Sequence, residues 1–194
     1  TCERDARIHP QEIIEFPSVL LDLKTLQTVD EFESFVRPIH RPELTEFCRE
    51  LTGITQAEVD EAPVFEDVLA SHHAWLDRHG LSEDNALMVT CGDWDLNAMF
   101  PAQMQLSDLG PMRPIYAEWL NIKELFQRVL LRRKAMGMMR MLRHVGLDPE
   151  GRHHRGIDDS RNIARLLAHL LVRGAPFEPT KRLRPKRWHA LVGC

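Results

Sequence analysis

Two extended apolar runs, separated by little more than a turn, open this chain, and from residue 45 onward helical patterns alternate with single short strand-like runs. That order restricts the fold to an α/β arrangement. Gln11 to Leu23 is rich in Ile, Phe, Val and Leu, and Thr28 to Val36 alternates apolar with polar residues. The pattern predicts two strands turning near Lys24-Thr25. Thr45 starts a short helix to Leu51 that Gly53 closes, and Thr55-Gln56-Ala57-Glu58 has the capping-box form before Pro63. A longer helix runs to Arg78 and stops at Gly80. Ala86 to Thr90 reads as a buried strand, Cys91-Gly92-Asp93 as a turn, and Trp94 to Gln105 as a helix. Trp119 to Ile122 is extended, with helices at Lys123 to Arg133, Ala135 to Val145 and Asp158 to Arg173. Such an order implies a mixed sheet covered by helices. With 194 residues, 43% of them hydrophobic and 28% charged, the chain has enough apolar material for one ordinary core.

Several classes are disfavoured. No stretch approaches the roughly 20 apolar residues needed to span a bilayer, and no leader pattern is visible. The expectation is a soluble, intracellular protein of the cytoplasm or nucleus without a membrane partner. Cys2, Cys48, Cys91 and Cys194 lack CxxC spacing, so neither a zinc site nor a disulfide framework is indicated. The net charge of −4 opposes indiscriminate coating of nucleic acid. Charge is uneven, however. Lys181, Arg182, Arg184, Lys186 and Arg187 crowd the end, and Arg128, Arg132, Arg133 and Lys134 form a second cluster able to hold phosphate locally.

Residues 154 to 166 combine a histidine with a carboxylate five positions on, where a loop enters the last helix. Helical phase separates the two aspartates there. Asp159 lies in phase with Ile163, Leu166 and Leu170, the stripe facing a core, whereas Asp158 aligns with Asn162, Arg165 and His169 on the wet face. A carboxylate at the head of a buried stripe needs a partner or a cation, while Asp158 can serve the first turn and the helix dipole. Spacing leaves the histidine register open, because His153 stands to Asp158 as His154 stands to Asp159; choosing Asp159 chooses His154. A capping acid beside a surface histidine is the alternative reading of the same residues. Asp95 follows the strand Ala86 to Thr90 and opens a helix in phase with Met99, Ala102 and Leu106, a second acid heading an apolar stripe. Asp93 in the turn can cap. His72-His73 and the methionines Met136, Met138, Met139 and Met141 are expected to be helix surface and core filling.

Cys91-Gly92-Asp93-Trp94-Asp95 and His154-x-Gly156-x-Asp158-Asp159-Ser160-x-Asn162-Ile163-Ala164 resemble the second and third motifs of the DEDD 3′-to-5′ exonucleases of the histidine type. Pro10-Gln11-Glu12-Ile13-Ile14-Glu15-Phe16-Pro17, Phe47-Cys48-x-x-Leu51-Thr52-Gly53-Ile54 and Trp119-x-Asn121-x-Lys123 narrow the resemblance to the Eri exonucleases, from Thr1 to about Phe177. The resemblance implies an RNase H-like mixed sheet with helices on both faces and an exonuclease domain over residues 1–177; the basic tail over 178–194, read from its cluster of cations, lies beyond the resemblance. It implies Asp95 and Asp159 as metal ligands, His154 as the base that activates a water, and Phe47, Leu51, Trp94 and His154 as substrate-binding groups. Mg²⁺ or Mn²⁺ in a two-metal site, and single-stranded RNA or RNA 3′ ends as partner with single-stranded DNA as a further candidate, are implied by the same likeness.

The family's first motif, a strand reading Asp-x-Glu-Ala-Thr-Cys, supplies two more acids, and Thr1-Cys2 matches its last two residues. Glu3 and Asp5 lie past that strand. The expectation is therefore a domain whose first central strand is largely missing from these 194 residues, which alone are inactive or nearly so. The upstream coding sequence is expected to end in Asp-x-Glu-Ala. The function implied is a metal-dependent 3′-to-5′ exoribonuclease releasing nucleoside monophosphates. The alternatives are a catalytically inactive RNA-binding or scaffold module and, from the same superfamily, a DNA-proofreading exonuclease.

Overall fold

A computed structural model describes Cys2, residues 10–131 and residues 134–183. Strands β1 (Glu15–Leu21) and β2 (Thr28–Phe35) form an antiparallel hairpin, with Glu15 opposite Phe35 and an irregularity at Leu20/Leu21. Its turn is built on Asp22, whose Oδ1 accepts N–H bonds from Lys24 and Thr25, each at 2.7 Å. Helices α1 (Glu46–Thr52), α2 (Gln56–Asp60) and α3 (Phe65–Arg78) come next along the chain. Thr45 caps α1 through the Cys48 N–H, Gly53 closes it at φ +76°, and Thr55 and Glu58 form the reciprocal capping box. Strand β3 (Met88–Thr90) pairs in parallel with β4 (Glu118–Asn121), and β5 (Lys181–Arg182) adds to β4 antiparallel. Between and after these strands lie α4 (Phe100–Leu106), α5 (Ile122–Val129), α6 (Met138–His144) and α7 (Gly156–Val172).

Alternation along the strands shows how helices cover both faces. On β1, Phe16 and Leu20 pack into the cluster around α3 and Ser18 bonds to His72 of α3, while Glu15 and Pro17 meet the start of α7. On β3 and β4, Met88 and Trp119 enter the α3 cluster, and Val89 and Leu120 enter the cluster built by α5, α6 and α7. Trp119 and Leu120 are fully buried, each contributing about 1.5–3 kcal/mol of burial free energy. A third cluster of Ile14, Leu44, Cys48, Ile54 and Val59 seats α1 and α2 beside the hairpin. Among the described residues the hairpin and the β3-β4-β5 ladder are separate hydrogen-bonded sheets, and α7 packs against both β1 and β3. No helix among the described residues is long and apolar enough to cross a membrane.

Residues 178–183, the start of the segment read from sequence as a basic tail, run back along β4 and bury Leu183 in the α3 cluster. Arg184, Lys186, Arg187, Trp188 and the rest of that segment lie outside the described residues, as do Arg132, Arg133, Glu3 and Asp5. The predicted helices at Lys123 to Arg133 and Ala135 to Val145 are shorter, α5 ending at Val129 and α6 starting at Met138.

His72 lies in the core, 1% exposed, between the Ser18 hydroxyl at 2.9 Å and the Tyr116 hydroxyl at 2.8 Å. Phe16, Phe32 and Trp75 pack around its ring. Burial drives its pKa down to about 3. The unfolded chain therefore takes up a proton below pH ~6.5 that the fold refuses until about pH 3, and stability falls as pH drops through that window. At most about 2 kcal/mol is lost between pH 7 and pH 5. Thermal melts should show wild type losing on the order of 4–8 °C more than His72→Gln over that interval. Parallel pH dependence of the two proteins would contradict the burial of a neutral imidazole.

Candidate active site

The site begins at the end of β3. The Thr90 hydroxyl donates to the Gly92 carbonyl at 2.6 Å and Gly92 takes φ +127°, which releases the chain from the sheet. Asp93 then anchors the loop. Its Oδ1 accepts the Trp119 indole N–H at 3.1 Å and the Asn121 amide at 3.0 Å, so its side chain ties the loop to β4 and does not cap the following helix. Asn121 uses its other amide atom, Oδ1, to cap α5 through the Lys123 N–H at 3.0 Å. The Trp119-x-Asn121-x-Lys123 spacing thereby fixes the loop and the first turn of α5 together, bringing Lys123 toward Gly92 and Asp95.

Asp95 differs from its sequence expectation. Residues Asp95–Met99 wind as a π-helical turn, which shifts the helical phase of α4 downstream. Leu96, Phe100, Gln103 and Met104 face the core and Ala102 is exposed, so Asp95 does not head the stripe Met99, Ala102, Leu106. It opens instead onto a cleft that water reaches. Surrounding protein atoms still raise its carboxyl above the ordinary value, against the pull of the Lys123 ammonium and with a further push from Asp159. Cys91 beside it is pushed up to about 11, chiefly by burial. Trp94, adjacent to Asp95, is 61% exposed.

The other wall is the loop 151–155 and the start of α7. Asp159 accepts the His154 backbone N–H at Oδ2 (3.2 Å) and contacts the His153 ring Nδ1 at Oδ1 (3.1 Å). The ring contact therefore falls to His153, while spacing selected His154. The reason is local: His154 has φ +72°, which turns the loop so that the two imidazoles stack with centroids 3.8 Å apart. His154 is held below the ordinary histidine pKa, first by desolvation and then by the neighbouring His153, with Asp159 opposing.

Asp158 accepts the Arg152 N–H at 2.8 Å and the Arg161 guanidinium at 3.1 Å, which ties the loop to the helix. Gly151 is required there. It takes φ +67°, and a Cβ would sit 2.3 Å from the Asp158 carboxyl carbon. Asn162, expected on the wet face, is 0% exposed; it bonds both ways to the Glu150 backbone and so pins the preceding loop. The true cap of α7 is Glu15 of β1, whose carboxylate accepts the N–H groups of Gly156 at 2.8 Å and Ile157 at 3.1 Å and pairs with Arg155 at 3.0 Å. Sequence reading missed Glu15 in this role, and it missed Lys123 and His153 as members of the cleft. For Lys123 the usable signal was its place at the first turn of a helix leaving a buried strand.

Arg152 also reaches the third wall. Its guanidinium donates to the Glu50 carbonyl at 2.6 Å and packs against Gly53, holding the end of α1 to the histidine loop. Phe47 and Leu51 stand one turn apart on α1, both half-buried and outside the Leu44–Cys48–Ile54–Val59 cluster. The structure thus joins Asp95, Asp159 and His154 in one cleft, with Trp94 exposed beside Asp95 and α1 fastened to the histidine loop.

Comparison with known proteins identifies the family and the fold. The profile of the exonuclease family RNase_T matches residues 3–167. The chain is 40% identical over 184 residues to ERI1 exoribonuclease 3 of Homo sapiens, covering 94% of the chain and 54% of that protein. It thus spans about half the length of the curated relatives it matches. Among solved structures, a 3′-exonuclease recognising the histone mRNA stem-loop superposes with a TM-score of 0.86 at 34% identity, covering 95% of this chain and 83% of that one. The nuclease domain of 3′hExo, a DEDDh family member bound to rAMP, gives 0.86 at 35% identity, covering 94% and 92%.

Proposed function

The chain belongs to the RNase_T exonuclease family, and from that premise we propose that the protein is a metal-dependent 3′-to-5′ exoribonuclease releasing nucleoside monophosphates from RNA 3′ ends. One observation carries this reading: Asp95 and Asp159 share a cleft in which burial and the nearby Asp159 carboxylate both disfavour ionisation of Asp95, beside a histidine whose pKa is held below the ordinary value. Carboxylates gathered in this way fit a divalent cation, and their hard oxygens suit Mg²⁺ or Mn²⁺. When bound, such a cation supplies Lewis-acid polarisation of the scissile phosphate.

The chain's own groups do the remainder. Asp95 and Asp159 would hold the cation. His154, with its pKa below the ordinary value, offers a free ring nitrogen at neutral pH and accepts the proton of the attacking water. The Lys123 ammonium offsets negative charge at the cleft mouth. Trp94 offers a flat face for the terminal base, and Phe47 and Leu51 on α1 supply apolar contact, a combination suited to single strands of any sequence. Such a surface admits a DNA strand as well, and the preference for RNA rests on the relatives.

Protein made from its full coding sequence, incubated with 5′-labelled single-stranded RNA and Mn²⁺, should yield a ladder descending by single nucleotides that chelation abolishes. RNA bound but left at full length would instead support a scaffold. Trp94→Ala should raise KM for RNA roughly 5- to 150-fold, from about 1–3 kcal/mol of lost stacking. The melting temperature should not change, because Trp94 is largely exposed. An unchanged KM would remove Trp94 from the substrate path.

A further inference from the structure

We propose that His153, His154 and Asp159 form a binding site for a borderline transition-metal cation of the zinc class, distinct in chemistry from a hard-cation site made of carboxylates. One ligand atom from each of the three lies within 4.8 Å of the others. The His153 Nδ1 is already 3.1 Å from Asp159 Oδ1, and the two imidazoles lie side by side. Ligand atoms around tetrahedral zinc stand about 3.3 Å apart, from bonds of roughly 2.0–2.2 Å. Exposed side chains reach that spacing by small rotations, and both histidines are exposed.

The backbone beneath them is fixed. Asp159 holds the His154 N–H, Asp158 holds the Arg152 N–H, and Arg152 grips the Glu50 carbonyl. A loop held at both ends loses little freedom on closing around an ion. Two imidazole nitrogens and one carboxylate oxygen favour zinc over magnesium, since magnesium takes oxygen ligands and gives up its waters reluctantly. Three protein ligands leave a fourth position open. The site stands on this geometry whether or not the protein is a nuclease.

Calorimetric titration of the 194-residue chain with ZnCl₂ at pH 7.5, in excess MgCl₂, tests it. One zinc per chain at micromolar Kd is expected. His153→Ala and Asp159→Asn should each weaken binding at least about tenfold without loss of the cooperative melt, and His169→Ala on the same helix should not. In imidazole-nitrogen NMR the resonances of His153 and His154 should move together as zinc is added. Absence of stoichiometric binding, zinc displaced by millimolar magnesium, or affinity surviving His153→Ala would overturn the proposal.

Discussion

Asp159→Asn is expected to lower the rate of RNA 3′-end shortening by roughly 10³-fold or more while the protein stays folded. The carboxylate charge is the property removed. Cation-assisted stabilisation of a phosphoryl transition state is worth several kcal/mol, and about 4 kcal/mol corresponds to roughly 10³-fold. The amide keeps an acceptor for the His154 N–H, so the loop geometry survives. His154→Gln should cost roughly 10²- to 10⁴-fold, the usual contribution of a positioned base. The same change at His153 should cost far less, because its ring lies against Asp159. The three initial rates on one labelled RNA check the ranking. Equal losses at His153 and His154 would contradict the assignment of the base.

Glu15→Ala should be the most damaging single change to stability outside the apolar core. Its carboxylate, with a side chain 6% exposed, accepts the first N–H groups of α7 and pairs with Arg155, which also reaches Glu33 and lies over the Phe35 ring. Truncation leaves buried donors without partners, at about 1–3 kcal/mol for each unsatisfied group. A total near 3 kcal/mol is also typical of breaking a buried ion pair from one side. That loss lowers the melting temperature by on the order of 6–12 °C for a domain of this size. The start of α7 carries Asp159, so the variant should lose nuclease rate as well. A melt within about 2 °C of wild type would mean that water or Glu33 replaces Glu15 at the helix end.

Local features were legible in the sequence because local chemistry determines them. Thr45, Gly53 and the Thr55–Glu58 box sit within one turn of the groups they satisfy, and their roles are set by residue type and spacing. The two faces of β1 are set by its alternation. The features that escaped were non-local or out of phase. Glu15 caps a helix 141 residues away, and no window of sequence contains both ends of that contact. Asn162 looks like a surface residue on a helical wheel, and only the preceding loop folding over it makes it buried. Asp95 does not head the stripe that a helical wheel gives it, since a π-helical turn adds a residue to the repeat that the wheel assumes. The spacing of His154 and Asp159 pointed to the site, but the positive φ at His154 decided which ring touches the acid.

The most direct measurement of the chemistry is the product formed in water enriched with oxygen-18. Attack by water on phosphorus breaks the bond to the 3′ oxygen, leaves a 3′ hydroxyl on the shortened RNA, and puts the solvent oxygen on the released nucleotide. Mass spectrometry of the reaction of the protein from its full coding sequence should therefore show nucleoside 5′-monophosphates carrying one oxygen-18 atom, formed roughly 10³-fold or more slowly by Asp159→Asn. Cyclic or 3′-phosphate products without the label, or intact RNA in complex with the protein, would contradict a hydrolytic site at Asp95, Asp159 and His154.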